Sequence, residues 1–170
     1  MTQTKEERVI DKSTWPAGPW KDEPDRVEFE AYGFPCLITR QVTGHLCGYV
    51  GMPPGHPWHG QGYSADALDG VEVHGGLTYA SACKGDVCHV PKPGEPDNVF
   101  WLGFDMAHYG DFRPADSGRF LPEVLLGPRE GGVYRDIPYV RAQCERLALQ
   151  ARARAVAEGQ PDFPHGRGDL

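Results

Sequence analysis

The chain predicts an α+β fold: a small antiparallel β-sheet with one long C-terminal helix packed on one face, joined by long ordered loops. Three observations predict it. Short apolar runs broken by Gly and Pro fill residues 27–104, while a helical apolar stripe occurs only near the C-terminus. Gly (22) and Pro (16) are frequent enough to demand much loop, yet fall short of a low-complexity composition. At 170 residues the chain is long enough for one core but not for several. The expected organisation is an extended arm over 1–25, a single domain over 26–159 and a flexible tail over 160–170.

The elements follow in order. Trp15 and Trp20 are expected to pin the arm to the body, since exposed tryptophans are uncommon. From Val27 to Thr43, Val27, Phe29 and Ala31 alternate with Glu28, Glu30 and Tyr32, the period of a half-buried strand. Gly33-Phe34-Pro35 interrupts that run and calls for a bulge or turn. Thr43-Gly44 is a hairpin turn, with His45 to Val50 as the return strand. Residues 51–69 read as a loop long enough to be functional. Val71 to Tyr79 reads as a third strand bent at Gly75-Gly76, and residues 84–98 as a second polar loop. Val99 to Phe104 is the most apolar strand and is expected to be central. Residues 109–133 read as irregular. Asp136 and Pro138 then open the helix as N-cap and first-turn proline. Ile137, Val140, Cys144, Leu147 and Ala151 form its apolar stripe, and Gly159 and Pro161 end it. Arg167-Gly168-Asp169 in the tail spells an adhesion tripeptide that is expected to arise by chance.

A net charge of −7 leaves no excess of cation for counterion release, which argues against nonspecific binding to nucleic acid or anionic membrane. No apolar run reaches the roughly 20 residues of a transmembrane helix. The polar start, Met1 to Ser13, lacks the apolar segment of a signal peptide, so a cytoplasmic protein is expected. In that compartment Cys36, Cys47, Cys83, Cys88 and Cys144 are expected to be buried thiols. Cys83 and Cys88 with His89 could alternatively form half of a zinc site.

Chemistry concentrates in two blocks. The first is His74-Gly75-Gly76-Leu77-Thr78-Tyr79, the second Gly103-Phe104-Asp105-Met106-Ala107-His108-Tyr109-Gly110-Asp111. In the second, Val99, Trp101, Gly103 and Asp105 share one strand face by parity; Phe100, Leu102, Phe104 and Met106 share the other, which should meet the helix. Glu72 and His74 alternate with Val71 and Val73 in the same way. The two strands, if neighbours, bring His74 towards Asp105 on the face away from the helix. His74, Asp105 and His108 are thus candidate acid–base residues. With Asp111 they make a candidate ligand set for a divalent metal such as zinc or manganese. Gly75 and Gly76 would offer backbone amides to an anion, and Tyr79, Trp58, His59, Trp101 and Tyr109 would supply contacts and walls for a small polar ligand. Each feature also has a purely architectural reading. Asp105 can cap a turn, His108 can be a satisfied imidazole, Asp111 can form an Asx turn, and Gly75-Gly76 can bend the sheet. Trp58 can simply anchor its loop with His56 and His59 solvated, a reading that suits His56 best.

These blocks, together with Gly48-Tyr49-Val50-Gly51, Pro53-Pro54-Gly55-His56-Pro57 and Tyr134-Arg135-Asp136, resemble a family of small uncharacterised proteins of tailed bacteriophages and prophages. The resemblance runs from about residue 30 to residue 150. A cysteine is common in the family where this chain has Met106, which fits a core position at 106. The resemblance implies an accessory protein acting in the bacterial host cytosol. Three functions are compatible with it: a small hydrolase for a phosphate- or nucleotide-like substrate, a non-catalytic sponge for such a ligand, or an inhibitor of a host protein that counters host defence.

One geometric expectation tests the site directly. Asp105 beside Trp101 needs a partner, since an uncompensated buried charge costs several kcal/mol. The side-chain tips of His74, Asp105 and His108 should therefore lie within roughly 4–8 Å of one another, the scale of groups sharing a ligand or water.

Overall fold

A computed structural model describes residues 9–116 and 132–159. Five strands form one antiparallel sheet: β1 Arg26–Ala31, β2 Phe34–Arg40, β3 Leu46–Met52, β4 Tyr79–Ala82 and β5 Phe100–Asp105, in the order β1-β2-β3-β5-β4. Helix α1, Ile137–Ala157, packs on the sheet, and the architecture is α+β. The interruption at Gly33 is a turn: Tyr32 and Gly33 both adopt positive φ and link β1 to β2 as a hairpin. The second hairpin turns at residues 41–45, where Gly44 takes φ +92°.

Parity in β5 assigns the two faces as expected. Leu102, Phe104 and Met106 enter the main core with Val140, Cys144, Leu147, Ala148 and Ala151 of α1. Val99 and Trp101 enter a smaller core on the opposite face with Leu37, Cys47 and Tyr49. Gly48 sets the distance between the layers: an added Cβ would lie 2.4 Å from the Phe104 ring and 2.8 Å from Cys144 Sγ. Asp136 caps the helix, accepting a hydrogen bond from Tyr139 N at 3.0 Å.

Four expectations are corrected. Residues 71–78 are not a strand; pairing begins at Tyr79, opposite Gly103. The extended stretch before it bonds to the helix instead. Glu72 N and His74 N donate to the side-chain oxygens of Gln150 and Gln143, and Gln150 Nε2 donates back to Glu72 O. β5 is interior, but β3 occupies the middle of the sheet. Cys83 and Cys88 are neither thiols nor zinc ligands; they form a disulfide with Cα atoms 4.7 Å apart, whereas Cys36, Cys47 and Cys144 are free and buried. Finally, His56 is not solvated. It is buried, with Nε2–H donated to Ala151 O at 2.8 Å and Nδ1 accepting from Trp58 N at 2.9 Å.

The arm is tied down by burial of Trp15 and Trp20. Beside it, the buried Arg40 guanidinium bonds to Asp25 Oδ1, Gly44 O, Tyr134 Oη and Pro24 O. The tail, its Arg-Gly-Asp tripeptide and most of the irregular stretch before residue 132 fall outside the described residues.

Burial pushes the His56 pKa down, partly opposed by the Ala151 carbonyl. Its folded pKa thus lies below the unfolded value of about 6.5, and its stabilising contribution is complete above that value and lost as pH falls through the window beneath it. We expect urea-unfolding free energy to decline from about pH 7 to about pH 5. It should decline less steeply in His56→Gln, whose side chain cannot titrate. Equal slopes would remove His56 as a contributor.

Candidate functional site

The two sequence blocks do meet, at the end of the sheet beside the first turn of α1. A β-turn places His74. Gly76 N donates to Val73 O at 2.9 Å, and Gly75 occupies the third position with the left-handed φ of +69° that a type II turn demands. A second turn, closed by Asp111 N to His108 O at 2.9 Å, follows β5 and returns Asp111 towards the first. Residues 110–112 then pair with Val133, which leads straight to Arg135 and the helix start.

Asp111 is the hub. Its side chain is only 2% exposed. Oδ2 accepts from His74 Nε2 at 2.6 Å and from His108 N at 3.1 Å, and Oδ1 accepts from Arg135 Nε at 3.2 Å. Burial works to raise its pKa, but the bonds from His74, the His108 amide and Arg135 outweigh it, and the pKa is lowered. Asp111 is therefore a carboxylate and can only accept. It follows that His74 Nε2 carries a proton, and that in the neutral imidazole Nδ1 is the acceptor. The Tyr139 hydroxyl lies 2.8 Å from Nδ1 and donates to it. Tyr139 in turn lies under Arg135, whose guanidinium carbon is 4.7 Å from the ring centroid.

Asp105 and His108 form the second half. Asp105 accepts from Thr78 Oγ1 at 2.8 Å and from Ala107 N at 3.0 Å, the latter an Asx-type cap of the turn. His108 Nε2 lies 3.3 Å from Asp105 Oδ1, within ion-pair range but outside hydrogen-bond geometry, so the nitrogen is buried without a hydrogen bond. The His74 and His108 rings stand 5.9 Å apart. Asp105, His108 and His74 thus form a continuous chain of neighbours. One part of the expectation is corrected: His74 does not face away from the helix, because its partners are Tyr139 and Gln143 of α1. Parity could not place it, since residues 71–78 belong to no strand.

The remaining expected residues scatter. Gly75 is pressed against the His108 ring, but Gly76 spends its amide on the turn and contributes no anion nest. Tyr79 lies edge-on to Tyr49 at 5.2 Å, across the sheet from α1. Trp58 is in the main core, Trp101 is wholly buried on the other face, and Tyr109 is fully exposed, so none of these walls the site. His59 bonds to Asn98 O at 2.9 Å. A cavity of about 740 Å³ lies elsewhere, against β1, and none of these seven residues lines it. The metal set is also corrected. Among the described residues no three or more His, Cys, Asp or Glu side chains group to hold an ion. Asp111 spends its oxygens on Arg135 and His74, and a guanidinium beside a carboxylate opposes a second cation there. Reading the two blocks alone missed Tyr139 and Arg135. Their signal was the N-cap Asp136, which fixes the first helical turn and hence both neighbours.

The chain matches no protein-family model, no curated protein and no solved structure.

Gly75 supplies a direct test of this geometry. A Cβ there would lie 2.1 Å from His108 Cδ2 and Nε2 on a backbone with φ +69°, whereas at Gly76, φ +80°, nothing lies within 4 Å. Gly76→Ala should cost about 1–2 kcal/mol, the left-handed penalty alone. Gly75→Ala should cost about 1–3 kcal/mol more, the range for overpacking. Equal losses in urea unfolding would mean that the His108 ring does not rest on Gly75.

Proposed function

We propose that this protein is a small hydrolase of phosphate esters, with Tyr139 as the reacting group and His74 as its base. The observation that supports the reading is the ordered chain Asp111–His74–Tyr139, with bonds of 2.6 and 2.8 Å at the two ring nitrogens. It repeats the logic of a catalytic triad: a buried carboxylate fixes the imidazole tautomer, and the imidazole accepts the proton of a hydroxyl nucleophile. Here the hydroxyl is a phenol.

The step balances as follows. Tyr139 Oη attacks phosphorus while its proton passes to His74 Nδ1, leaving an imidazolium held by Asp111. The ester oxygen leaves with the bonding electron pair and takes that proton. Water, deprotonated by His74, then attacks phosphorus; the Tyr139 oxygen leaves with the bonding pair, takes the proton back from His74, and phosphate is released. Arg135 favours anionic substrate in this scheme. Its Nε is spent on Asp111, and its terminal nitrogens carry no hydrogen bond among the described residues. A planar guanidinium with free edges is well suited to phosphate oxygens. His108 and Asp105 flank the site and position the turn that carries Asp111. The setting we propose is the bacterial cytosol during phage infection, as the resemblance implies. The Cys83–Cys88 disulfide lies outside the site.

Aryl phosphate mono- and diesters test the proposal. Turnover should fall roughly 10²–10⁴-fold in Tyr139→Phe and in His74→Ala, the usual scale for losing an acid–base or nucleophilic group. Acid quench should trap a phosphoryl group on Tyr139. Recovery of only intact ester from the wild type would defeat this reading and leave the sponge.

A further inference from the structure

We propose that the cavity against β1 is a second, separate binding site, for an organic amine with an apolar body. The cavity holds about 740 Å³, within the roughly 300–1,000 Å³ typical of small-molecule sites. It lies between the β1–β2 hairpin, the turn at Pro53-Pro54 and the loop over residues 89–96. Phe29, Pro35, Pro53, Val90, Pro96 and Val99 give it apolar surface.

Its charge selects the head group. Glu28, Glu30 and Glu95 line it against a single cation, Lys92. Glu28 is offset by Arg26 at 2.6 Å and Glu95 accepts from Lys92 N at 3.0 Å; Glu30 and Glu95 then face one lining cation among the described residues, a surplus of one negative charge. A neutral ligand would leave those carboxylates without recompense for any water it displaces, and an anion would be repelled. A cation with an apolar body satisfies both parts of the lining. The chain's net charge of −7 further favours the approach of cations.

The loop wall is built to hold its place. The Cys83–Cys88 disulfide closes its base, Arg26 donates to Asp86 O at 2.7 Å and to Cys88 O at 2.6 Å, and Val87 packs on the second core. A preformed wall lowers the ordering cost of binding. None of these residues takes part in the His74 group, so the inference stands independently of the hydrolase reading.

The test is an amide-resolved NMR titration of the full chain with phenylbutylamine, phenylbutanol and phenylbutyrate, which share a body and differ in head group. The amine should bind roughly fivefold or more tighter than the alcohol, the butyrate weakest, with shifts centred on Phe29, Val90 and Val99. Glu30→Gln should reduce the preference for amine over alcohol about two- to fivefold, the scale of one exposed charge pair. Val90→Trp, a change at a residue 50% exposed that lines the cavity, should narrow it and weaken binding of all three. Equal affinity for the three probes, shifts centred on α1, or no saturable binding would each overturn the proposal.

Discussion

The carboxylate of Asp111 is the point on which the site's construction turns. It draws together three segments far apart in sequence: the turn at His74, the turn after β5 and the residue just ahead of α1. A buried carboxylate is costly unless its lone pairs are used, and here His74, the His108 amide and Arg135 use them. Removing any one partner would leave charge uncompensated at the junction of sheet and helix. The arrangement is therefore cooperative. The turn carrying His74 has no strand pairing of its own, and is held by Asp111 at one end and by the helix glutamines at the other.

A second buried charge secures the same helix start from the opposite side. Arg40 leaves β2 and bonds the arm at Pro24 and Asp25, the hairpin at Gly44 and the phenol of Tyr134. Burial alone would lower its pKa, but Tyr134 and Asp25 reverse the sign, and it stays charged. Glu23 extends the group by accepting from Tyr134 Oη and from Ile137 N, satisfying one free amide of the first helical turn. Arg135 and Tyr139 are thus set by two independent anchors, and side chains in a site need that rigidity to hold angstrom-scale geometry.

The legible parts of the sequence were those governed by short-range rules. β5 could be read because its two faces are both buried, in different cores, so alternation carries the signal at every position. The helix could be read because Asp136, Pro138 and the Val140–Cys144–Leu147–Ala151 stripe agree with one another. Val71 and Val73 misled because alternation also appears in an extended chain whose backbone bonds to side chains. Gln143 and Gln150, two helical turns apart, take the place of a strand, and nothing local announces that. The pairing of Cys83 with Cys88 was not legible because two cysteines five apart fit buried thiols or half of a zinc site equally well. Tyr139 escaped notice because its importance comes from where the His74 turn docks, which is a tertiary fact.

His74 has both ring nitrogens engaged, and Asp111 both oxygens. A purely architectural network could end there. The proposed function uses the direction in which its proton donors run. Asp111 cannot donate, so Nε2–H points to it; in the neutral imidazole Nδ1 then accepts, and the Tyr139 hydroxyl gives its proton inward. The Tyr139 oxygen is left with lone pairs and with Arg135 above its ring. That polarity, from carboxylate through imidazole to phenol, is the feature on which the proposed nucleophile rests.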